Sequence, residues 1–263
     1  MKITFLGTGT SQGVPVIGCD CTVCASLDFR DKRLRSAIHI EVQGKSIVID
    51  TGPDFRTQML REKISSLDAV VFTHEHKDHT AGLDDIRPFN FMHQKDMPIF
   101  GTEQVLNQIK REFSYIFEKV KYPGVPQVIT HEITKELDFD VEGVKFSPIE
   151  VMHYRLPVLG FRIGDFTYIT DAKTIADEEL EKIKGTKILV LNALQINHHI
   201  SHFTLQEALE IVEKINPEIA YFTHISHRLG THAEVEAKLP NHIKLAFDGL
   251  KIDIATCTSI TTS

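Results

Sequence analysis

Four side chains that commonly bind metal ions stand within six positions of one another. They follow an apolar, strand-like run at residues 69–72 and one threonine, and they are His74, His76, Asp78 and His79. Side chains alternate along an extended segment, so the first two histidines project to the same side. A turn into a helix at Asp78 would direct the last two toward a second point. This loop could therefore serve two metal ions; the alternative is a solvated polar turn with coincidental histidines.

Three further ligand-type residues stand just past apolar, strand-like runs: His153 after residues 146–151, Asp171 after residues 166–170, and His224 after residues 219–223. Residues that follow separate strands can converge on one pocket. A carboxylate such as Asp171 can bridge two ions, and a pair of ions about 3.5–4 Å apart stabilises the attacking and leaving oxygens of a phosphoryl displacement. The alternatives are capped surface histidines and, for Asp171, a cap before a helix at residues 172–181.

Three of the four cysteines fall within six positions, in the spacing C-x-C-x-x-C formed by Cys19, Cys21 and Cys24. In a reducing compartment this cluster favours a metal site over a disulfide framework. Three thiolates occupy three corners of a tetrahedral zinc site, and His227 is the candidate for the fourth. We predict a closed, structural zinc site, with buried or free cysteines as the alternative. Cys257 stands apart and is predicted to be a plain thiol.

The composition is that of an ordinary globular protein, apart from its 14 histidines. The 263 residues include 29 Lys and Arg against 36 Asp and Glu, a formal net charge of −7. This acidic balance argues against broad binding of nucleic acid or anionic membranes. No apolar run approaches the roughly 18 residues of a membrane span, and the first residues predict a strand and not a signal peptide. We therefore expect a cytoplasmic protein.

Apolar periodicity predicts a mixed α and β protein. The predicted strands are residues 3–6, 37–42, 46–49, 69–72, 145–151, 159–163, 166–170, 188–191 and 219–223, the predicted helices are residues 55–63, 102–117 and 204–215, and residues 244–246 and 251–254 are predicted to close the chain as a hairpin. There is no short repeat and no Pro- or Ser-rich linker. Residues 1–263 are therefore predicted to form a single domain, and its two similar halves favour an α/β, layered αββα sandwich.

The His-x-His-x-Asp-His segment resembles the motif of the metallo-β-lactamase superfamily, and the resemblance extends from the first strand to the turn at residues 248–249. It implies a four-layer αββα sandwich with two divalent ions. The implied ligands are His74, His76 and His153 for the first ion, Asp78, His79 and His224 for the second, and Asp171 as the bridge. Members that act on phosphate esters keep this bridging Asp, whereas β-lactamases typically have a cysteine. The resemblance therefore implies a phosphoesterase.

Residues 6–15, Leu-Gly-Thr-Gly-Thr-Ser-Gln-Gly-Val-Pro, together with the cysteine cluster and the His224-x-x-His227 pair, resemble the phosphoribosyl 1,2-cyclic phosphate phosphodiesterase group. The resemblance implies a phosphoric diester hydrolase for a small cyclic substrate, either ribose 1,2-cyclic phosphate or a 2′,3′-cyclic nucleotide. It further implies a homodimer, zinc or manganese in the active site, and one structural zinc at the cysteines. No stable complex with nucleic acid and no membrane contact are expected.

A catalytic histidine of this family falls within residues 197–204, and His202 is the best match, with His198 and His199 as alternatives. We expect a water activated by the two ions to attack phosphorus, with His202 as general acid and Asp78 as the second catalytic residue. Asp50 could orient a ligand histidine; a turn-forming Asp is the alternative. Arg87, Arg155 and Arg228 are candidate phosphate clamps, each with a plain surface arginine as the alternative.

Other functions fit the same motif less well. A transfer-RNA 3′-processing nuclease needs an RNA-gripping arm, and the sequence offers only scattered positive residues at 110–111 and 119–121. A di-iron redox or sensor protein normally carries a flavodoxin-like partner domain, for which this chain leaves no room. A non-catalytic metal-binding module would use closed sites of four ligands each. This sequence supplies a complete second set of ligands beside the first, with His202 in addition, which argues against such a module.

Overall fold

Two β-sheets form the centre of the computed structural model, which describes residues 1–120 and 122–254; Cys257 and Lys121 lie outside the described residues. The strands, in chain order, are β1 (Lys2–Gly7), β2 (Ala37–Val42), β3 (Lys45–Ile49), β4 (Ala69–Val71), β5 (Met97–Gly101), β6 (Val128–Glu132), β7 (Phe139–Val141), β8 (Val144–His153), β9 (Leu156–Ile163), β10 (Phe166–Tyr168), β11 (Thr174–Ile175), β12 (Ile188–Asn192), β13 (Ile219–Thr223), β14 (Ile243–Leu245) and β15 (Lys251–Asp253).

The helices are α1 (Thr22–Ala25), α2 (Phe55–Glu62), α3 (Lys77–Thr80), α4 (Arg87–His93), α5 (Glu103–Glu112), α6 (Ser114–Phe117), α7 (Asp177–Ile183), α8 (Leu205–Ile215) and α9 (His232–Glu236). Short 3₁₀ helices cover Phe29–Asp31 and Leu83–Ile86. Within the described part of the chain, no helix is both long enough and apolar enough to cross a membrane.

Each sheet combines antiparallel hairpins with a set of parallel strands. The strand order is β15-β1-β2-β3-β4-β5-β6 in the first sheet and β11-β8-β9-β10-β12-β13-β14 in the second, with β7 paired to β8. Strands β3 to β6 are parallel, and so are β10, β12, β13 and β14. The carboxyl ends of parallel strands meet at one edge, where open α/β sheets bind their ligands.

Three clusters of buried apolar side chains separate four layers. Between the two sheets lie Ile3, Phe5, Ile38, Ile40, Ile47, Phe146, Phe161, Tyr168 and Val190. Between the first sheet and helices α2, α4 and α5 lie Val48, Val70, Ile99, Phe55, Met59, Phe89, Val105 and Ile109. Between the second sheet and helices α7 and α8 lie Val151, Leu189, Phe222, Leu180, Ile183, Ile211 and Val212. The predicted α/β class and four-layer αββα sandwich are confirmed.

Helix α8 begins at a capping box that its sequence supplies. The side chain of Thr204 accepts a hydrogen bond from the Glu207 N–H at 3.2 Å, and the Glu207 carboxylate accepts one from the Thr204 N–H at 2.8 Å. The two bonds satisfy N–H groups that a helix start leaves free. Because the box begins two residues after His202, it also fixes the end of the loop that carries this histidine.

Most predicted strands are observed with ends that differ by three residues or fewer, and two of them, Ala37–Val42 and Ile219–Thr223, coincide. The helix predicted at residues 102–117 divides into α5 and α6, because Phe113 has φ −112° and ψ 40°, outside the helical region. Strands β5 and β6 were not predicted. They extend the parallel part of the first sheet beyond β4.

The predicted closing hairpin is wrong. Strand β14 pairs in parallel with β13 in the second sheet, whereas β15 pairs antiparallel with β1 in the first. The turn between them carries the chain from one sheet to the other: the Gly249 N–H donates to the Phe5 carbonyl, and Asp248 accepts from the Thr8 hydroxyl. Two short apolar runs around a turn resemble a hairpin locally, but the partners here come from distant strands.

Candidate metal centre

The candidate ligands from both halves of the chain meet at the carboxyl ends of the parallel strands. Strand β4 leads into the first motif, β13 ends one residue before His224, and β10 ends three residues before Asp171. His153 is the last residue of β8. The structure therefore brings together all seven side chains proposed as active-site ligands: His74, His76, Asp78, His79, His153, Asp171 and His224.

One side of this cluster consists of three histidine rings. The ring centroids of His74 and His76 are 4.6 Å apart, and His153 lies 5.2 Å from His76 and 6.0 Å from His74. His74 is fully buried and His76 is exposed. The three rings thus surround one point between the buried cluster and the surface.

The other side is built around two carboxylates. Nε2 of His79 lies 3.2 Å from an oxygen of Asp78 and 3.2 Å from Oδ2 of Asp171. Nε2 of His224 lies 3.2 Å from Oδ1 of Asp171 and 3.8 Å from Asp78. Because its two oxygens face different partners, Asp171 occupies the middle of the cluster.

The donor atoms are close enough to share ions. Three sets have their donor atoms within 4.8 Å of one another, namely His74, His79 and Asp171; Asp78, His79 and His224; and His153, Asp171 and His202. Asp171 belongs to two of these sets, as a bridging carboxylate would. His76 belongs to none and joins the cluster through its ring contacts. The division of ligands between two ions therefore stays a prediction.

Three histidines present the same ring nitrogen to the cluster. Nδ1 of His79 donates to Asp50 at 2.7 Å, and Nδ1 of His153 donates to the Ser201 carbonyl at 2.8 Å. The Thr73 hydroxyl donates to Asp50, so it accepts from Nδ1 of His74 at 2.9 Å. A proton on Nδ1 leaves Nε2 as a lone-pair donor facing inward. Metal-binding histidines are held in this way by outer hydrogen bonds.

Four buried ring nitrogens of the cluster find no hydrogen-bond partner within residues 1–120 and 122–254. Nε2 of His74, Nε2 of His79 and both ring nitrogens of His224 are buried without a hydrogen bond of good geometry. Leaving a buried polar atom unsatisfied costs about 1–3 kcal/mol. Imidazole and carboxylate donors are also the ligand types that divalent zinc, manganese and iron accept. The residues present therefore fit divalent cations at this position.

Buried charges dominate the electrostatics of the cluster. Burial would raise the pKa of Asp171, but His224 and His79 hold this pKa well below its usual value. Burial would lower the pKa of His79, yet Asp78 and Asp171 raise it well above its usual value, so a bound metal ion would take the place of a proton on Nε2. The carboxylates thus stay ionised inside the protein, where only positive charge offsets them. Such a site attracts cations.

Strained backbone places three of these side chains. Asp50, Asp171 and His224 have φ values of 67°, 54° and 54°. Residues other than glycine rarely adopt the left-handed region, and such residues concentrate at functional sites. Each follows a strand, and the sharp change of direction turns its side chain into the cluster.

Two glycines let the loop after β3 approach the ligand helix α3. A Cβ atom at Gly52 would lie 2.1 Å from the carbonyl oxygen of Asp78, and one at Gly82 would lie 2.1 Å from the carbonyl oxygen of Gly52. The Thr51 N–H donates to the His79 carbonyl at 2.8 Å. These contacts hold the loop and its buried carboxylate beside the helix.

The structure distinguishes the three histidines of residues 198–202. Nε2 of His202 lies 3.1 Å from Oδ1 of Asp171, and its ring packs on His153 and His224 at 4.4 and 4.7 Å. His199 lies behind it, with its Nδ1 3.3 Å from Nδ1 of His202, and His198 is exposed. Among the three, His202 therefore reaches the cluster.

The three clustered cysteines converge on His227. Its Nδ1 lies 3.3 Å from Sγ of Cys19, 3.4 Å from Sγ of Cys21 and 3.6 Å from Sγ of Cys24. Bonds of about 2.3 Å to sulfur and about 2.0 Å to nitrogen at a tetrahedral angle place these atoms about 3.5 Å apart. A hydrogen bond from the Cys24 backbone is the first cause that lowers the pKa of Cys21 to about 6. The four side chains fit a zinc ion.

Comparison with known proteins agrees with the fold and the motif. The model of a beta-lactamase superfamily domain matches residues 45–225. A solved structure described as a new diphosphatase from the PhnP family is 42% identical, with a TM-score of 0.90 over 97% of this chain and 98% of that chain. This chain belongs to the metallo-β-lactamase superfamily. The resemblance drawn from the sequence is thereby confirmed.

Two curated proteins of similar sequence have names that describe two different activities. An octanoyltransferase from Porphyromonas gingivalis is 41% identical over 254 residues, which cover 95% of this chain and 51% of that protein. A ribonuclease Z from Staphylococcus epidermidis is 28% identical over 171 residues, which cover 62% of this chain and 49% of that protein. The chain thus spans about half the length of these relatives.

The sequence analysis did not identify two residues that orient candidate ligands. Thr73 links His74 to Asp50 through one hydroxyl, and the Ser201 carbonyl orients His153. A threonine directly before the motif was the one available signal for the first contact. The second contact involves a backbone carbonyl, so residue type carried no information about it.

The three arginines considered as phosphate clamps differ in their surroundings. Arg87 is paired with Asp84 at 3.0 Å. Arg155 and Arg228 are exposed, and no carboxylate of residues 1–120 and 122–254 forms an ion pair with either. Arg155 lies two residues past His153, which places a free cation next to the candidate metal centre.

Proposed function

We propose that this protein hydrolyses phosphate esters with two metal ions, and that its substrates are small cyclic phosphodiesters. Ribose 1,2-cyclic phosphate and 2′,3′-cyclic nucleotides are the candidate types. The observation that carries the proposal is the position of Asp171, an ionised carboxylate between the two sides of the ligand cluster. The 42% identical diphosphatase supports cleavage at a phosphate group.

The proposed cofactors are two divalent ions, zinc or manganese, at the cluster and one zinc at the cysteines. When bound, a pair of divalent ions supplies positive charge to phosphoryl oxygens and lowers the pKa of water. The inward nitrogens of His74, His79 and His224 would hold them. Thr73 and Asp50 would keep the rings of His74 and His79 in place by accepting their outer protons, and the Ser201 carbonyl would do the same for His153.

His202 holds a proton where a leaving oxygen would need it. Burial lowers the pKa of His202 to about 4, so the ring is neutral at pH 7. Its Nε2 donates to Asp171, and its Nδ1 lies 3.1 Å from the Ser201 hydroxyl. The neutral ring therefore carries its proton on Nε2, directed at the cluster. We assign this Nε2–H the donation of a hydrogen bond to the leaving sugar oxygen as negative charge develops there, a contact typically worth about 10²- to 10³-fold in kcat.

Hydrolysis is a better proposal than acyl transfer for this cluster. The name octanoyltransferase describes a protein of which this chain matches 51%. Transfer to an acceptor requires water to be excluded, whereas paired metal sites favour attack by water. The name ribonuclease Z, in contrast, describes cleavage of RNA, whose backbone bonds are phosphodiesters, and this agrees with the proposed bond type.

The test is a substrate panel with metal analysis. Purified protein is assayed on 2′,3′-cyclic nucleotides, ribose 1,2-cyclic phosphate, ADP and bis(p-nitrophenyl) phosphate, and its metals are counted. Asp171→Asn is expected to lose at least about 10³-fold in kcat, because it removes the central charge. His202→Ala is expected to lose about 10²- to 10³-fold in kcat while the metals stay bound.

Asp165→Asn is the matched control, since this carboxylate lies on the same sheet but pairs with Lys187 at the surface. Preference for a cyclic ester supports the proposal in full. A preference for ADP would show that the substrate is a diphosphate and not a cyclic ester. The proposed hydrolysis at a phosphate group would still hold. Bound metals without cleavage of any phosphate ester would refute the proposed function.

A further inference from the structure

A two-residue turn lies at the edge of the ligand cluster. Strands β8 and β9 form a hairpin in which His153 pairs with Leu156, so Tyr154 and Arg155 make the whole turn. Because His153 is a candidate ligand, the turn begins one residue from the metal centre. The turn therefore adjoins the ligand cluster through His153.

The backbone of this turn is unfavourable for its residues. Tyr154 has φ 59°, a left-handed value that is a genuine outlier for a bulky side chain. The three other two-residue hairpin turns within the described residues each contain a glycine: Gln43–Gly44, Glu142–Gly143 and Gly164–Asp165. Gly164, at the opposite end of β9, has the same φ of 59°. The first position of the other turns is held by Gln43, Glu142 and Gly164, with φ values of 52°, 54° and 59°, so among these four turns the one beside the cluster has the aromatic residue there.

The two side chains of the turn form an exposed pair. The guanidinium carbon of Arg155 lies 5.1 Å from the centre of the Tyr154 ring, a cation–π contact. The tyrosine is 51% exposed. No carboxylate of the described residues neutralises Arg155, as noted above. Because the guanidinium lies over one face of the half-exposed ring, the pair offers a ligand the remaining ring surface and the guanidinium N–H groups.

The loop of residues 195–203 contacts the end of this hairpin at His153. Its Ser201 carbonyl binds His153, which holds the loop against the end of the hairpin. Ile196 and Ile200 in this loop are 53% and 60% exposed. The two segments that meet at His153 thus carry exposed apolar side chains and one cation, which suits a flat, partly apolar group attached to a phosphate.

We propose that the Tyr154–Arg155 turn is a nucleoside subsite, which makes the substrate of the proposed phosphoesterase a nucleoside phosphate. The inference rests on the proposed function. The base stacks on the tyrosine ring, because every nucleobase has a π face and stacking tolerates any base. The Arg155 guanidinium binds a substrate oxygen outside the cluster, for which its fork of N–H donors is suited.

The first test compares substrates with and without a base. Wild type, Tyr154→Ala and Tyr154→Phe are assayed on 2′,3′-cyclic AMP and on ribose 1,2-cyclic phosphate, which has no base. Tyr154→Ala is expected to lower the ratio of the two kcat/KM values about 5- to 100-fold, through KM, because it removes one stacked ring. Tyr154→Phe keeps the ring and is expected to retain most of the ratio.

Tyr154→Gly separates recognition from folding. Glycine suits the left-handed turn, so this variant is expected to unfold at the same or a higher temperature than wild type while it loses the same preference as Tyr154→Ala. Gln43→Gly is the matched control, since Gln43 has φ 52° in a turn of the other sheet. It is expected to retain the wild-type ratio.

A binding measurement keeps this inference distinct from the proposed function. AMP is titrated calorimetrically into the metal-loaded protein, with ribose 5-phosphate as the probe without a base. Weaker AMP binding by Tyr154→Ala, with ribose 5-phosphate binding unchanged, supports the subsite even if no tested ester is cleaved. Equal losses for both probes, or no loss for either, would overturn the subsite while leaving phosphate ester hydrolysis untouched.

Discussion

At the scale of single residues, Asp50 decides the orientation of a candidate ligand. It is fully buried, accepts from Nδ1 of His79 at 2.7 Å, and also accepts from the N–H and the hydroxyl of Thr73. From the sequence, Asp50 was interpreted either as a residue that orients a ligand histidine or as a turn-forming residue. It is both, because it binds His79 and has a left-handed φ of 67°. We regard it as a positioning residue, since it acts on the cluster through other side chains.

We expect Asp50→Asn to lower metal affinity and kcat about 10- to 100-fold. Asparagine keeps the shape and tolerates the left-handed backbone. It can no longer accept from both Thr73 and His79, so the His79 ring loses its fixed orientation. Metal titration and steady-state kinetics measure the two effects.

Asp54→Asn is the control for this prediction. Asp54 stands on the same loop but binds Arg35, outside the cluster. If Asp50→Asn bound metal as tightly as Asp54→Asn does, the positioning role of Asp50 would be ruled out.

Residue types in the sequence located the cluster well but not its geometry. The motif from His74 to His79 and the residues after three later strands could be identified, because imidazole and carboxylate groups after strands are unusual. The left-handed backbone at Asp171 and His224 could not be predicted. Neither residue type requires that conformation, and it is imposed by packing around the cluster.

At the scale of elements, the cysteine loop connects the N-terminus to the end of β13. The Thr10 N–H donates to the Ile225 carbonyl, and the Ile225 N–H donates to the Thr8 carbonyl. His227, beside the cysteines, is three residues from His224 in the metal cluster. A metal at the cysteines would thus fix one end of a segment whose other end carries an active-site side chain.

We expect Cys21→Ser to bind one metal ion fewer and to unfold at a lower temperature. A structural zinc contributes several kcal/mol to folding, and a loss of about 2 kcal/mol corresponds to roughly 4–8 °C in a chain of this size. Elemental analysis and thermal unfolding measure the two quantities.

Asp20→Asn serves as the matched variant, because Asp20 is an exposed carboxylate between two of the cysteines. It is expected to keep all metals and the wild-type unfolding temperature. An unchanged metal count in Cys21→Ser would show that this thiol is not a zinc ligand.

The sequence predicted strands correctly where the local pattern of apolar residues defines them. It failed to predict which strands pair when the partners are far apart in the sequence. Strand β2 was predicted to the residue because its buried side belongs to a strongly apolar run. Strands β14 and β15 were assigned to each other, although β13 and β1 are their partners. The alternation of apolar residues shows which side of a strand is buried, but the strand's neighbours depend on how the two sheets pack.

At the scale of the whole molecule, the distribution of buried polar groups sets the response of stability to pH. His39 in β2 lies far from the ligand cluster in sequence and is 4% exposed. Its Nε2 lies 2.7 Å from the Ser46 hydroxyl, which itself donates to the Ser66 carbonyl. His39 therefore donates to Ser46 as a neutral ring. Burial lowers the pKa of His39 from 6.5 to about 4.

This shift predicts that acid weakens the fold through His39. Between pH 6.5 and 4 the unfolded chain binds a proton that the folded chain does not, so the free energy of unfolding falls as the pH falls. The loss is complete near pH 4 and amounts to at most about 3 kcal/mol. Above pH 6.5 the group has no effect on stability.

The measurement is the difference in free energy of unfolding between wild type and His39→Gln, from urea titrations at pH 7.5, 6.5, 5.5 and 4.5. The difference cancels other titrating groups, including the metal-binding residues, because both proteins share them. The free energy of unfolding of wild type, relative to that of His39→Gln, should fall with each step below pH 6.5. A constant difference between wild type and His39→Gln at all four pH values would mean that His39 takes up its proton equally in the folded and unfolded chains.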